Sequence, residues 1–180
     1  MIKKFKEKYF SNITKSLNQI NLKDFESFLK LVKNVKKNNK KIIIVGNGGS
    51  AAMASHVAVD FTKTCKIRSI NFNEADLITC FANDYGYENW LKESLKAYAS
   101  KGDLLILISS SGNSKNIVNA GIQGRKMGLK IITFTGFSPN NKVRKIGNIN
   151  FWVNNKTYNI VEITHQSWLL AAVDFFAVRR

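Results

Sequence analysis

Two stretches of the chain are dense in small hydrogen-bond donors, Gly46-Asn-Gly-Gly-Ser50 and Ser109-Ser-Ser-Gly-Asn-Ser114. Backbone N–H groups and serine hydroxyls at the start of a helix suit a phosphate. Its oxygens accept several hydrogen bonds, and its charge is favoured by the helix dipole. Neither stretch is a usual nucleotide motif. Gly46 to Ala51 lacks the third glycine of GxGxxG and no P-loop signature occurs, so no nucleotide cofactor is expected. The chain has two histidines. His56 precedes Asp60 by four residues, a spacing that puts both on one helix face, where they could chelate a metal or flank a sugar. Such pairs are also common helix decoration, but this one stands a turn beyond a phosphate-type loop.

These groups meet only if the elements carrying them do. Lys41 to Val45, Lys66 to Phe72, Leu104 to Ile108, Lys130 to Phe134 and Ile149 to Val153 are short runs rich in apolar and β-branched residues, as expected of strands. Residues 51–62, 88–99, 115–127 and 160–178 have helical character between and after them. Two further helices precede the first strand. Ile2, Phe5, Tyr9, Ile13, Leu17 and Ile20 form one apolar stripe; Phe25, Phe28, Leu29 and Val32 form another, capped by Asn21. Alternating strands and helices argue for an α/β fold, a parallel sheet covered on both faces. In such a sheet both donor-rich loops lie at the C-terminal edge, where open α/β folds bind ligands.

At 180 residues, without a Pro-rich linker or repeat, the chain is expected to form one domain spanning 1–180, with N-terminal helices over 1–40 and an α/β core over 41–180. Apolar residues at 44% exclude wholesale disorder, and no apolar run approaches the length of a membrane span. A cytoplasmic location with reduced Cys65 and Cys80 is expected, and no membrane partner. The net charge is +16, and residues 1 to 41 concentrate it with twelve lysines, no arginine and three acids. Lysine and asparagine on the wet faces of two helices suit a solvated surface better than a nucleic-acid reader.

The string Gly46-Asn-Gly-Gly-Ser-Ala-Ala52 with His56, then Ala82-Asn-Asp-Tyr-Gly86, Gly102-Asp-Leu-Leu105, Ile108-Ser-Ser-Ser-Gly-Asn-Ser114 and Thr133-Phe-Thr-Gly136, closely resembles the phosphoheptose isomerase family of sugar isomerase (SIS) domains. The resemblance implies a three-layer sandwich around a five-stranded parallel sheet. It implies a homotetramer with sites between subunits, the N-terminal helices serving oligomerisation. The implied activity converts sedoheptulose 7-phosphate to D-glycero-D-manno-heptose 7-phosphate for surface polysaccharide. Phosphate contacts fall on Ser109, Ser110, Ser111 and Ser114, and sugar contacts on Asn47, Gly48, Gly49, Ser50, Asn83 and Asp84.

The catalytic positions depart from the family. Asp60 stands where the family has a Glu that serves as base and zinc ligand, and its carboxylate is shorter by one methylene. Val161 and Leu169 stand where the family has a Gln ligand and a catalytic, metal-binding His, so the usual zinc site is not intact. His165 lies four residues from each, and four-residue steps advance about 40° past a full turn, so the three share one stripe. The expectation is that His165 points into the cleft, either replacing the missing acid or joining His56 and Asp60 at a metal. Glu162, which matches a family position, and Gln166 lie nearby. A phosphosugar isomerase with altered catalytic residues Asp60, His165 and Glu162 is thus set against a non-catalytic SIS protein that binds a sugar phosphate or a partner such as the replication initiator. An open cleft beside His165 favours the first, a closed apolar pocket the second.

Overall fold

The computed structural model describes residues 1–177. In chain order it contains α1 (Ile2–Leu17), α2 (Leu22–Lys37), β1 (Ile42–Val45), α3 (Gly49–Lys63), β2 (Ser69–Ile70), α4 (Ala75–Tyr85), α5 (Trp90–Tyr98), β3 (Leu104–Ser109), α6 (Lys115–Lys126), β4 (Lys130–Thr135), β5 (Ile149–Trp152) and α7 (Tyr158–Ala177). The five strands form one parallel sheet in the order β2-β1-β3-β4-β5. Successive side chains of a strand point to opposite faces, and the core divides accordingly. Ile42 and Ile44 pack with α2, α3 and α7, whereas Ile43 and Val45 pack with α5 and α6. This is the expected three-layer sandwich.

The element boundaries follow local chemistry. Asn21 caps α2 by accepting the Asp24 N–H at 3.1 Å, as its sequence predicts. The strand expected over 66–72 shortens to two paired residues, because Lys66 adopts a positive φ of 55° and only Ser69 and Ile70 reach β1. Helix α4 is absent from the sequence-based expectation. Its apolar stripe, Leu77, Ile78 and Phe81, packs only half-buried against the α5 and α6 side of the core. The last helix runs to Ala177; Val178, the expected end of that helix, lies outside the described residues.

β1 and β3 are neighbours, but the chain leaves them toward opposite edges of the sheet, β1 to β2 and β3 to β4. Their following helices also cover opposite faces, α3 with the first cluster and α6 with the second. A crevice opens at such a switch point, outside the carboxyl ends of the strands. Both donor-rich loops border it. Helix α7 closes one side by packing on α3, and α1 packs on the outside of α7. The Trp168 indole N–H donates to the Leu17 carbonyl at 2.9 Å, tying the end of α1 to α7.

Candidate active site

The serine loop after β3 is braced from three directions. Gly136 N–H donates to the Ser110 carbonyl at 2.9 Å, Val143 N–H donates to the Gly112 carbonyl at 2.9 Å, and Gly112 sits at φ +65° against the side chain of Asn141. A Cβ at residue 112 would overlap the Asn141 side chain, so glycine is required by space as well as by backbone conformation. Gly136 is required by its neighbours too, since a Cβ there would meet Val161 at 2.8 Å. The held loop leaves a recess of about 110 Å³ lined by Ser109, Ser110, Ser111, Ser114, Asn47, Ser50 and, from α7, Tyr158 and Glu162. The Ser110 hydroxyl is buried here without a protein partner, while α6 presents its N-terminus at Ser114. A buried unpaired hydroxyl at a helix start is the arrangement an anion completes.

The glycine loop faces it. Gly48 caps α3 at φ +54°, open to glycine but strained for other residues. Asn47 is locked to Asn116 of α6 by two reciprocal amide hydrogen bonds of 3.0 and 2.8 Å. Asn116 is thus a site residue that sequence reasoning missed. Its one signal is its place in the first turn of the helix after the serine loop.

Glu162 links this recess to a second cavity of about 580 Å³, lined also by Tyr9 of α1, by Gly49, Ala52, Met53 and His56 of α3, and by Asn159, Ile163 and Gln166 of α7. Its carboxylate leans so closely against Gly49 that a Cβ there would overlap Oε2. Partial burial raises the Glu162 carboxyl above its ordinary pKa. His56 is half exposed, and its ring is held at both nitrogens: Gln166 Nε2 lies 3.0 Å from Nδ1, and Asp60 Oδ2 lies 3.2 Å from Nε2. Asp60 does not itself line the cavity.

His165 is elsewhere, against expectation. The stripe Val161, His165 and Leu169 exists, but it faces the sheet, and all three side chains are fully buried. The His165 ring stands edge-on to Phe134 and donates from Nε2 to the Thr135 carbonyl at 3.0 Å. Burial pushes its pKa down to about 4, with the Thr135 hydrogen bond opposing only in part. It lines neither of the two cavities. The reason is rotational: on a helix lying between sheet and solvent, the 161/165/169 and 159/162/166 stripes diverge by roughly one residue's 100° step. Asn83 and Asp84 also stay apart from both cavities. They are exposed on α4 and bonded to each other, Asn83 Nδ2 to Asp84 Oδ1 at 3.0 Å.

A family model described as SIS domain matches residues 8–136. The phosphoheptose isomerase of Aliarcobacter butzleri is 40% identical over 134 residues, covering 71% of this chain and 70% of that protein. The chain belongs to the phosphoheptose isomerase family of SIS-domain proteins. The phosphoheptose isomerase of Fusobacterium nucleatum is 32% identical over 148 residues, or 79% of this chain and 76% of its own. The fold agrees with a phosphoheptose isomerase structure from Neisseria gonorrhoeae at a TM-score of 0.90 and 23% identity, over 98% of each chain. Against this family background, the serine and glycine loops stand where its motifs predict. The late helix presents Glu162 and Gln166 to the cleft in place of the residues expected there.

Proposed function

We propose that the chain is an aldose–ketose isomerase converting sedoheptulose 7-phosphate to D-glycero-D-manno-heptose 7-phosphate, in heptose biosynthesis for a surface polysaccharide such as lipopolysaccharide or capsule. The carrying observation is that Glu162 belongs to both cavities, between an anion recess and a larger chamber. With the phosphate held by the serine loop, the carbon chain runs past the Glu162 carboxylate. Glu162 takes a proton from C1, and that C–H electron pair becomes the C1–C2 double bond as the carbonyl oxygen at C2 gains charge. The carboxyl then returns the proton to C2 while the C1 hydroxyl passes its proton to the charged oxygen at C2, leaving an aldehyde at C1 and a hydroxyl at C2. A carboxyl raised by partial burial is a better base for this step than an exposed one.

The working unit is a homotetramer in the cytoplasm with sites completed between subunits. Ile2, Phe5 and Phe10 on α1 and Val59 on α3 are exposed apolar side chains, which supports this reading. Among the described residues, no helix is long and apolar enough to cross a membrane.

The closed apolar pocket of His165 favours a second reading, a SIS protein that binds a sugar phosphate without turning it over. One experiment separates them. Incubation with sedoheptulose 7-phosphate in deuterated water, followed by NMR, is expected to show deuterium entering beside the carbonyl in wild type and in His165→Gln but not in Glu162→Gln. Binding of the sugar phosphate without exchange would establish the second reading.

A further inference from the structure

The zinc implied by the resemblance does not fit the residues present. Val161 and Leu169 are apolar and fully buried, and His165 is engaged with Thr135 behind the cleft. Both ring nitrogens of His56 already have protein partners. Among the described residues, no three His, Cys, Asp or Glu side chains are grouped to hold a metal. Zinc sites take three or four such ligands.

The same residues form a different device. The Asp60 carboxylate only accepts hydrogen bonds, so the proton of His56 lies on Nε2, donated to Asp60 Oδ2 at 3.2 Å. His56 Nδ1 therefore carries a lone pair, and the Gln166 amide must turn its NH2 toward it, as the 3.0 Å contact from Nε2 requires. That amide has a second N–H. Gln166 is one helical turn beyond Glu162 on the same face of α7, and both line the large cavity. Building on the isomerase reading above, we propose that Asp60 and His56 are positioning residues that orient Gln166, and that the free N–H of Gln166 stabilises the enediolate oxygen while Glu162 moves the carbon-bound proton. A fixed neutral donor aimed at developing charge supplies what a metal would otherwise supply. The site works without a metal ion.

The test pairs turnover with zinc binding. Wild-type protein is stripped with a chelating resin, its metal content is measured, and it is assayed with sedoheptulose 7-phosphate; zinc alone is titrated by calorimetry. Turnover is expected to survive stripping, with no saturable zinc binding. Gln166→Leu should lower kcat by about 10²-fold with KM unchanged, as expected for loss of one oxyanion donor. His56→Ala should lower it by about 10- to 100-fold and add little to Gln166→Leu, because it acts through the same amide. Asp60→Asn retains an oxygen that can accept from Nε2, so it should lose about tenfold, the low end for an outer-shell partner. One saturable zinc per chain that disappears in His56→Ala, or a loss beyond ~10³-fold in Asp60→Asn, the scale of a lost general base, overturns the assignment while leaving the isomerase reading intact. Absence of turnover in stripped and zinc-loaded protein alike overturns both.

Discussion

Helix α7 presents two faces a fraction of a turn apart, and they have opposite characters. The inner face, with Val161, Thr164, His165, Trp168 and Leu169, is buried against the sheet. The outer face, with Asn159, Glu162 and Gln166, lines the cleft. The more reactive side chain by type, the histidine, is on the wrong face. There, surrounded by Phe134 and Trp168, its ring is held neutral and its one bond goes to a backbone carbonyl. The carboxylate and amide outside keep their polar ends toward the site. Residue type gives a side chain its chemistry, but the face it occupies decides whether that chemistry meets a substrate.

The largest expected effect comes from the outer face. Glu162→Gln conserves shape and removes the base, so kcat should fall by about 10³-fold with the melting temperature unchanged. Turnover and thermal unfolding of the same preparation check this. A fall in stability comparable to the loss of activity would mean that Glu162 belongs structurally with the inner face. Leu169→Ala is the inner-face counterpart. It should cost about 3 kcal/mol in denaturant unfolding and leave the kcat of the folded fraction unaltered. A large kcat loss in a folded Leu169→Ala protein would mean that the two faces are coupled.

His165 sharpens the contrast through pH. Its folded pKa of about 4 lies below the ordinary 6.5, so between these values the unfolded chain binds a proton that the folded chain does not. Stability contributed by the neutral ring is therefore fully present above about pH 6.5 and is lost as pH falls toward 4. The loss amounts to about 3 kcal/mol. His165→Gln cannot take up that proton, so the difference in unfolding free energy between wild type and variant should shift toward the variant over this interval. A difference that stays constant from pH 7 to 4 would place His165 in contact with water and reopen it as a cleft residue.

The parts legible in the sequence are those set by local periodicity or backbone demand. Short apolar runs mark β1, β3, β4 and β5, and Gly48 and Gly112 mark loops whose positive φ values only glycine adopts comfortably. The stripe through 161, 165 and 169 also follows from spacing. Its direction does not, because periodicity says which residues share a face and packing says where that face points. Apolar residues such as Ile160, Ile163, Leu170 and Val173 surround α7 on several sides, so no single polar side stands out to reveal the cleft. Helix α4 differs: its stripe of Leu77, Ile78 and Phe81 lies on a helix of only eleven residues and is half-buried, a short signal beside the longer helices. The Asn47–Asn116 pair joins positions 69 residues apart and depends on strand order, which no local pattern encodes.

The smallest effect expected is the one that tests whether the inner and outer distinction extends to the serine loop. Ser110 is 5% exposed, its backbone carbonyl is bound by Gly136, and its hydroxyl has no protein partner. If that hydroxyl is kept for a phosphate oxygen, Ser110→Ala should raise KM for the sugar phosphate by about tenfold, the worth of one hydrogen bond to a charged group, and leave kcat unchanged. Stability should hold or rise slightly, since the variant buries a methyl in place of an unsatisfied polar atom. The opposite pattern, lower stability with KM unmoved, would show that Ser110 serves the packing of the loop like the inner face of α7, and would shift the phosphate toward the hydroxyls of Ser111 and Ser114 at the mouth of the recess.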